Sequence, residues 1–121
     1  MTGGARRVGR AIAERFARAG FDLVLTYHTS GDEAHETASR LRTFGVGVEL
    51  VELDLADAAA VERESRRLVA ALPRLDVLVH NAAVYAKTPL NDLSEAAARE
   101  HYAVNALAPL PMSTPVSVVA P

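Results

Sequence analysis

The sequence predicts an α/β protein built on a doubly wound parallel sheet with crossover helices. Short runs rich in Val and Leu alternate with longer stretches of helical period, with little slack between them. The apolar runs hold few turn residues, as strands buried on both faces do. Half of the 121 residues are hydrophobic, which suits the core of one small domain.

Each element follows from a local signal. Val8 to Ala19 reads as a helix, with Val8, Ile12 and Phe16 four apart on one face, Glu14 and Arg18 forming an i,i+4 pair, and Gly20 as its stop. Asp22 to Tyr27 is the first strand, Asp32 to Thr43 the second helix, and Val46 to Leu53 the second strand. Asp57 to Leu72 is a helix capped by Asp57 and ended before Pro73. Leu75 to His80 is a third strand, and Ser94 caps a helix that runs to about Leu107. Four of the six prolines fall at Pro109, Pro111, Pro115 and Pro121. A helix-interior proline removes a bond and clashes with the preceding turn, so residues 109–121 are expected to be an irregular tail behind a domain of residues 1–108.

Composition excludes several classes. There are 23 alanines and 6 aromatic residues, so the core is aliphatic and finely divided. The net charge of −2 removes the electrostatic case for a nucleic acid or an anionic membrane as main partner. With no cysteine, disulfide scaffolds, thiolate zinc sites and thiol nucleophiles are out. The four histidines (28, 35, 80 and 101) lie far apart without ligand-like spacing, so no metal site is expected. Ser113 lies in no Gly-x-Ser-x-Gly elbow. No apolar run approaches the roughly 20 residues that span a bilayer, and no leader is visible, so a soluble, cytoplasmic protein is expected.

Five segments carry chemistry. Thr2-Gly3-Gly4-Ala5-Arg6-Arg7-Val8-Gly9 stands directly before the first helix. Its glycines let backbone approach a phosphate, and the helix start offers free N–H groups and a positive dipole end. The same residues also suit a plain glycine-rich turn. After the first strand come His28, Thr29 and Ser30. In a dinucleotide-binding fold this point meets the adenine ribose, where an acid would favour the 2′-hydroxyl of NAD. The nearest acid is Asp32, already at the helix start, while hydroxyls, a histidine and Arg6 or Arg7 suit the 2′-phosphate of NADP. Thr29 and Ser30 equally suit the cap of the next helix. The remaining segments are Asp54-Leu55, Asn81-Ala82-Ala83 and Asn105, each of which alone reads as a cap or turn residue.

Together and in this order, these motifs resemble the short-chain dehydrogenase/reductase family, a Rossmann-type group of NAD(P)-dependent oxidoreductases, from about Thr2 to Pro109. The resemblance implies that the glycine segment holds the cofactor pyrophosphate, that Asp54 and Leu55 contact the adenine, and that Asn81, Ala82 and Ala83 lie along the ribose. It makes Asn105 the asparagine that supports the active-site proton relay. Arg7 stands where the family usually has its middle glycine, and the segment from His80 to Leu90 is similar to the pteridine-reductase-like branch, which uses NADPH. That likeness sets the Tyr85 ring against a flat substrate, a small carbonyl or a pterin-like heterocycle, while the same tyrosine equally suits ordinary loop packing.

The pattern also breaks. The family carries a hydrophobic strand before Thr-Gly, and here only Met1 precedes Thr2. Family catalysis uses a Ser and a Tyr-x-x-x-Lys, yet Tyr27, Tyr85 and Tyr102 are followed four residues on by Gly31, Pro89 and Ala106. The expectation is a partial Rossmann-type fold lacking the first strand and the C-terminal half. It would keep the cofactor side, turn over no substrate alone, and tend to self-associate through exposed edges. The rival expectations are a non-catalytic nucleotide-binding module that pairs with a full-length relative, and a clipped fragment that does not fold stably.

Overall fold

The alternation in the sequence is realised as two parallel strands, with helices before, between and after them. The structure is a computed structural model and describes residues 1–87, 89–92 and 94–117. The chain divides into two units: Met1–Leu53 with Val79–Ala82, and Asp54–Leu78 with the chain from Ala83 on.

In the first unit, α1 (Arg7–Arg18) leads to β1 (Leu23–Tyr27), and α2 (Gly31–Arg42) leads to β2 (Val48–Glu52). The end of α1 follows from Gly20. Its φ of +85° suits a residue without a β-carbon, and it lets the N–H groups of Gly20 and Phe21 reach back to the carbonyls of Ala17 (3.0 Å) and Phe16 (3.1 Å). Phe21 then meets Phe16 edge-on, with ring centroids 5.3 Å apart, which is the apolar contact that seals such a helix end.

β1 and β2 pair in parallel from Leu23 opposite Val48 to Tyr27 opposite Glu52, and the Leu53 N–H extends the ladder to the Tyr27 carbonyl at 2.7 Å. On the other side of β1 lies the start of the chain. Thr2 bridges Thr26 in parallel, the Thr26 N–H bonds the Met1 carbonyl (3.0 Å), and the Gly3 N–H bonds the Thr26 carbonyl (3.1 Å). The Thr2 N–H bonds the Val79 carbonyl at 2.9 Å, so Met1–Gly3 occupies the slot between β1 and Val79. The expected strand from Leu75 to His80 is a correction, since no strand forms there among the described residues. A strand is defined by its ladder, and the backbone bond that reaches this segment from Met1–Gly3 is the one to the Val79 carbonyl.

The core of this unit is Ala13, Ala17, Leu25, Ala38, Leu41, Val46 and Val48, with Met1, Leu23, Phe44 and Leu50 packed against it. The buried stripe of α1 is Gly9, Ala13 and Ala17, one residue on from the Val8, Ile12, Phe16 row, and Val8 is 67% exposed. Small residues let the helix lie close to β1 and α2, and the larger side chains flank that seam.

In the second unit, α3 (Ala58–Ala71) begins at Asp57, whose carboxylate accepts from the Ala60 N–H at 3.0 Å. A short 3₁₀ turn (Leu90–Asp92) precedes α4 (Glu95–Tyr102), which is capped by Ser94 accepting from the Ala97 N–H at 3.1 Å. A π-helical stretch, Ala103–Leu107, then carries the chain into α5 (Pro109–Ser117), which packs along α3 and buries Met112. This helix corrects the expected irregular tail over its described part. Residues 118–121 of that tail lie outside the described residues. Pro109 and Pro111 stand in the first turn of α5, where an N–H has no helical acceptor to lose. The wide turn before them closes through the Ala108 N–H to the Ala103 carbonyl at 2.9 Å, a bond that needs no donor from residue 109. Among the described residues no helix is long and apolar enough to cross a membrane.

One buried polar contact ties α2 to the glycine segment: the Thr37 hydroxyl donates to the Ala5 carbonyl at 2.7 Å, with Thr37 fully buried. Thr37→Val leaves that carbonyl without its donor at nearly constant volume. The expected loss is about 1–3 kcal/mol of unfolding free energy, read as a lower urea midpoint with an unchanged slope.

Candidate cofactor-binding site

The glycine segment is held by reciprocal bonds to Asn81 and Ala82. The buried Thr2 hydroxyl accepts from the backbone N–H groups of Asn81 (3.1 Å) and Ala82 (3.0 Å). The Asn81 side-chain amide donates back to the carbonyls of Thr2 (3.2 Å) and Gly3 (3.0 Å). Asn81 thus shapes the loop, a task its side chain performs on backbone. No signal within the sequence disclosed that pairing, because its partners lie 78 and 79 positions away.

The loop requires glycine at two places. Gly3 has a φ of +63°, and a β-carbon there would stand 3.0 Å from the Ala82 Cα. At Gly9 a β-carbon would lie 1.9 Å from the Gly3 carbonyl oxygen and 2.7 Å from the Asn81 amide nitrogen. Arg7 has a φ of +50° and, among the described residues, is the non-glycine residue with a left-handed backbone. The position where the resemblance expects glycine therefore keeps a glycine conformation with an arginine in it.

The loop delivers the chain into α1 without a cap. Arg6, at the N-cap position, makes no side-chain cap bond, and the first turn holds no acid. The positive dipole end of α1 therefore lies beside Arg6, Arg7 and Val8, all exposed. Such an arrangement suits an anion, such as the pyrophosphate of a dinucleotide.

At the end of β1, His28 and Thr29 are exposed and Ser30 is half-buried. Ser30 occupies the N-cap position of α2 but makes no side-chain cap bond there. The first turn of α2 contains Asp32 and Glu33, and Glu33 lies 3.9 Å from the Arg6 guanidinium. The structure therefore gathers Thr2, Gly3, Arg6, Arg7, Val8, Gly9, His28, Thr29, Ser30, Asn81 and Ala82 in the first unit.

Asp54, Leu55, Ala83, Tyr85 and Asn105 belong to the second unit. Asp54 accepts from the Ala56 N–H at 2.8 Å and organises the turn that leads to α3; Leu55 is half-buried. Ala83 is exposed, and Tyr85 is 86% exposed. Asn105 lies in the π-helical stretch, and its side chain clasps the backbone of Val84 by two bonds of 2.9 Å.

Met1 and His80 have displaced proton affinities. Burial pushes the Met1 amine, which donates to the Val24 carbonyl at 2.6 Å, down to about 6. His80 is lowered by burial and then by the charge of that amine.

A glycine loop leading into an uncapped helix start, beside parallel β-strands, is an arrangement of the dinucleotide-binding α/β class. Residues 1–118 match the family model described as short chain dehydrogenase. The uncharacterized oxidoreductase YohF of Escherichia coli is 34% identical over 87 residues, which cover 72% of this chain and 34% of that protein. A short-chain dehydrogenase of Burkholderia cenocepacia, solved in complex with NADP, superimposes with a TM-score of 0.90 at 32% identity, over 97% of this chain and 48% of that one. A blue fluorescent protein from a metagenomic library, solved in complex with NADPH, gives a TM-score of 0.90 at 29% identity, over 99% and 49%. The chain belongs to the short-chain dehydrogenase/reductase family. It spans about half the length of these solved relatives.

Two substitutions in the loop should act in opposite directions. A left-handed backbone costs a residue with a β-carbon about 1–2 kcal/mol, of which glycine's greater chain entropy returns part, so Arg7→Gly is expected to stabilise by about 0.5–1 kcal/mol. Gly9→Ala forces the Gly3 carbonyl to move and is expected to destabilise by roughly 2–3 kcal/mol. Urea unfolding of both variants beside the parent chain reads the two signs directly.

Proposed function

We propose that this chain is the cofactor-holding part of an NADP(H)-dependent reductase of small carbonyl compounds. The observation that carries the proposal is the uncapped start of α1, where the glycine loop, the dipole end and two exposed arginines converge. In this reading the N–H groups of the first turn hold the pyrophosphate, and Arg6 with Thr29 and Ser30 takes the adenosine 2′-phosphate. The absence of a Ser30 cap bond supports that role, since the hydroxyl remains available for a ligand. NADP and NADPH in the solved relatives support the same choice. Asp54 and Leu55 are assigned to the adenine, and Ala82 and Ala83 to the ribose. The solvent-facing Tyr85 ring is assigned to a flat substrate, a pterin-like heterocycle among the candidates.

The bound cofactor would supply the hydride. The residues of this chain bind and orient it, and Asn105 is assigned to the support of the proton relay. No tyrosine of the chain has a lysine four residues on, so the proton-donating pair of the family is not among these residues.

The full chain is expected to enhance NADPH fluorescence saturably and to bind NADH at least tenfold more weakly, which corresponds to about 1.4 kcal/mol. With a panel of carbonyl substrates it should oxidise NADPH no faster than a blank. Equal affinity for the two cofactors would overturn the NADP assignment, and absence of binding to either would overturn the whole reading. Arg6→Ala, an exposed change, should remove the preference while leaving the circular dichroism spectrum unchanged.

A further inference from the structure

The seam between α1 and α2 carries a ladder of ion pairs. Arg40 meets Glu14 at 2.9 Å, Arg10 meets Glu36 at 3.2 Å and Glu14 at 3.4 Å, and Arg6 meets Glu33 at 3.9 Å. The partners advance along both helices by about one turn per rung, so the last rung lies at the N-terminal end of each. That rung is the longest, and it alone of the three interhelical rungs has both side chains more than half exposed, at 56% for Arg6 and 51% for Glu33. It is therefore the rung that exchanges most readily with solvent or ligand. Arg6 and Glu33 are held near each other through the backbone, because Thr37 of α2 bonds the Ala5 carbonyl next to Arg6.

We propose that Glu33 is a specificity-determining residue that sets the affinity for the 2′-phosphate by competing with it for Arg6. This rests on the NADP reading given above. In the free protein the Glu33 carboxylate neutralises Arg6. A cofactor with a 2′-phosphate must displace that carboxylate and then sit beside it, and beside Asp32 in the same helical turn. A cofactor with a 2′-hydroxyl brings no charge and has no reason to disturb the pair. Glu33 thus lowers NADPH affinity while leaving NADH nearly untouched, which holds the preference below the level that Arg6 alone would give. The effect is electrostatic between partly solvated groups, so it should be modest and sensitive to salt.

The test is a titration of the full chain with NADPH and NADH, for the parent, Glu33→Gln, Arg6→Ala and the double variant. Glu33→Gln is expected to tighten NADPH by about three- to tenfold, to leave NADH unchanged, and to lose most of this gain in 1 M salt, where the Debye length is about 3 Å. The gain should vanish in the Arg6→Ala background, because Glu33 acts through that arginine. An unchanged NADPH affinity in Glu33→Gln, an equal gain for NADH, or a gain that survives Arg6→Ala would each overturn the proposal. If the parent prefers NADPH and Glu33→Gln does not alter that preference, this inference fails and the NADP reading stands. If the parent binds both cofactors equally or binds neither, the NADP reading fails and this inference falls with it.

Discussion

The geometry of the first unit depends on the reciprocal clasp between Thr2 and Asn81. One hydroxyl accepts two backbone N–H groups, and one side-chain amide serves two carbonyls, so four bonds close a loop whose ends are nearly 80 residues apart in sequence. Each bond is worth only about 0.5–1.5 kcal/mol net, yet leaving any of these groups unpaired would cost more than that. The loop is therefore specified less by attraction than by the penalty for every other arrangement. Gly9 completes the constraint, because its hydrogen is the only substituent that fits against the Gly3 carbonyl. With the loop closed this way, the direction in which α1 leaves it is no longer free.

The placement of α1 decides what the site can hold. Its inner stripe of Gly9, Ala13 and Ala17 has almost no side-chain volume, so the helix lies tight against the sheet and α2. Its outer edge is fixed to α2 by the ion pairs of Arg10, Glu14, Glu36 and Arg40. Such pairs contribute little to stability singly, but they set the register of one helix on the other. The first turn of α1 and the first turn of α2 end side by side, one without any acid and the other with two. Adjacent helix starts thus carry opposite electrostatic characters, and in the proposed reading one would attract a phosphate while the other grades how strongly it is held.

The sequence displayed the helices and the two paired strands because each carries a local signal, such as the Asp57 and Ser94 caps or the Gly20 stop. It displayed the glycine loop for the same reason. It could not display the loss of strand character from Leu75 to His80, since a ladder depends on a partner far away in the sequence. Nor could it display the buried face of α1. The row of larger apolar residues at Val8, Ile12 and Phe16 outweighs alanines on any hydropathy scale, although the alanines make the contact. The run of prolines misled in a different way. Proline breaks a helix interior and suits a helix start, and only the π-helical turn ahead of Pro109 decides which rule applies. The Thr2–Asn81 clasp was invisible for want of any local trace, although both residues were already marked as members of the site.

Arg7 shows how the loop governs side chains that it does not touch. A left-handed backbone persists at a non-glycine residue only where the surroundings over-determine it. Here they do: the clasp and the Gly3–Gly9 contact fix the chain on the loop side, and the helical turn fixes it on the other. The cost of about 1–2 kcal/mol falls on a residue that forms no ion pair among those described. Arg6, one position earlier, has an extended backbone and a carboxylate partner. Two adjacent arginines thus stand at the start of α1 in opposite conditions, one strained and without an ion pair among those described, the other relaxed and already engaged. In the proposed reading a phosphate would meet the first charge directly and compete for the second. Attraction and discrimination would then fall to neighbouring residues that differ in backbone conformation.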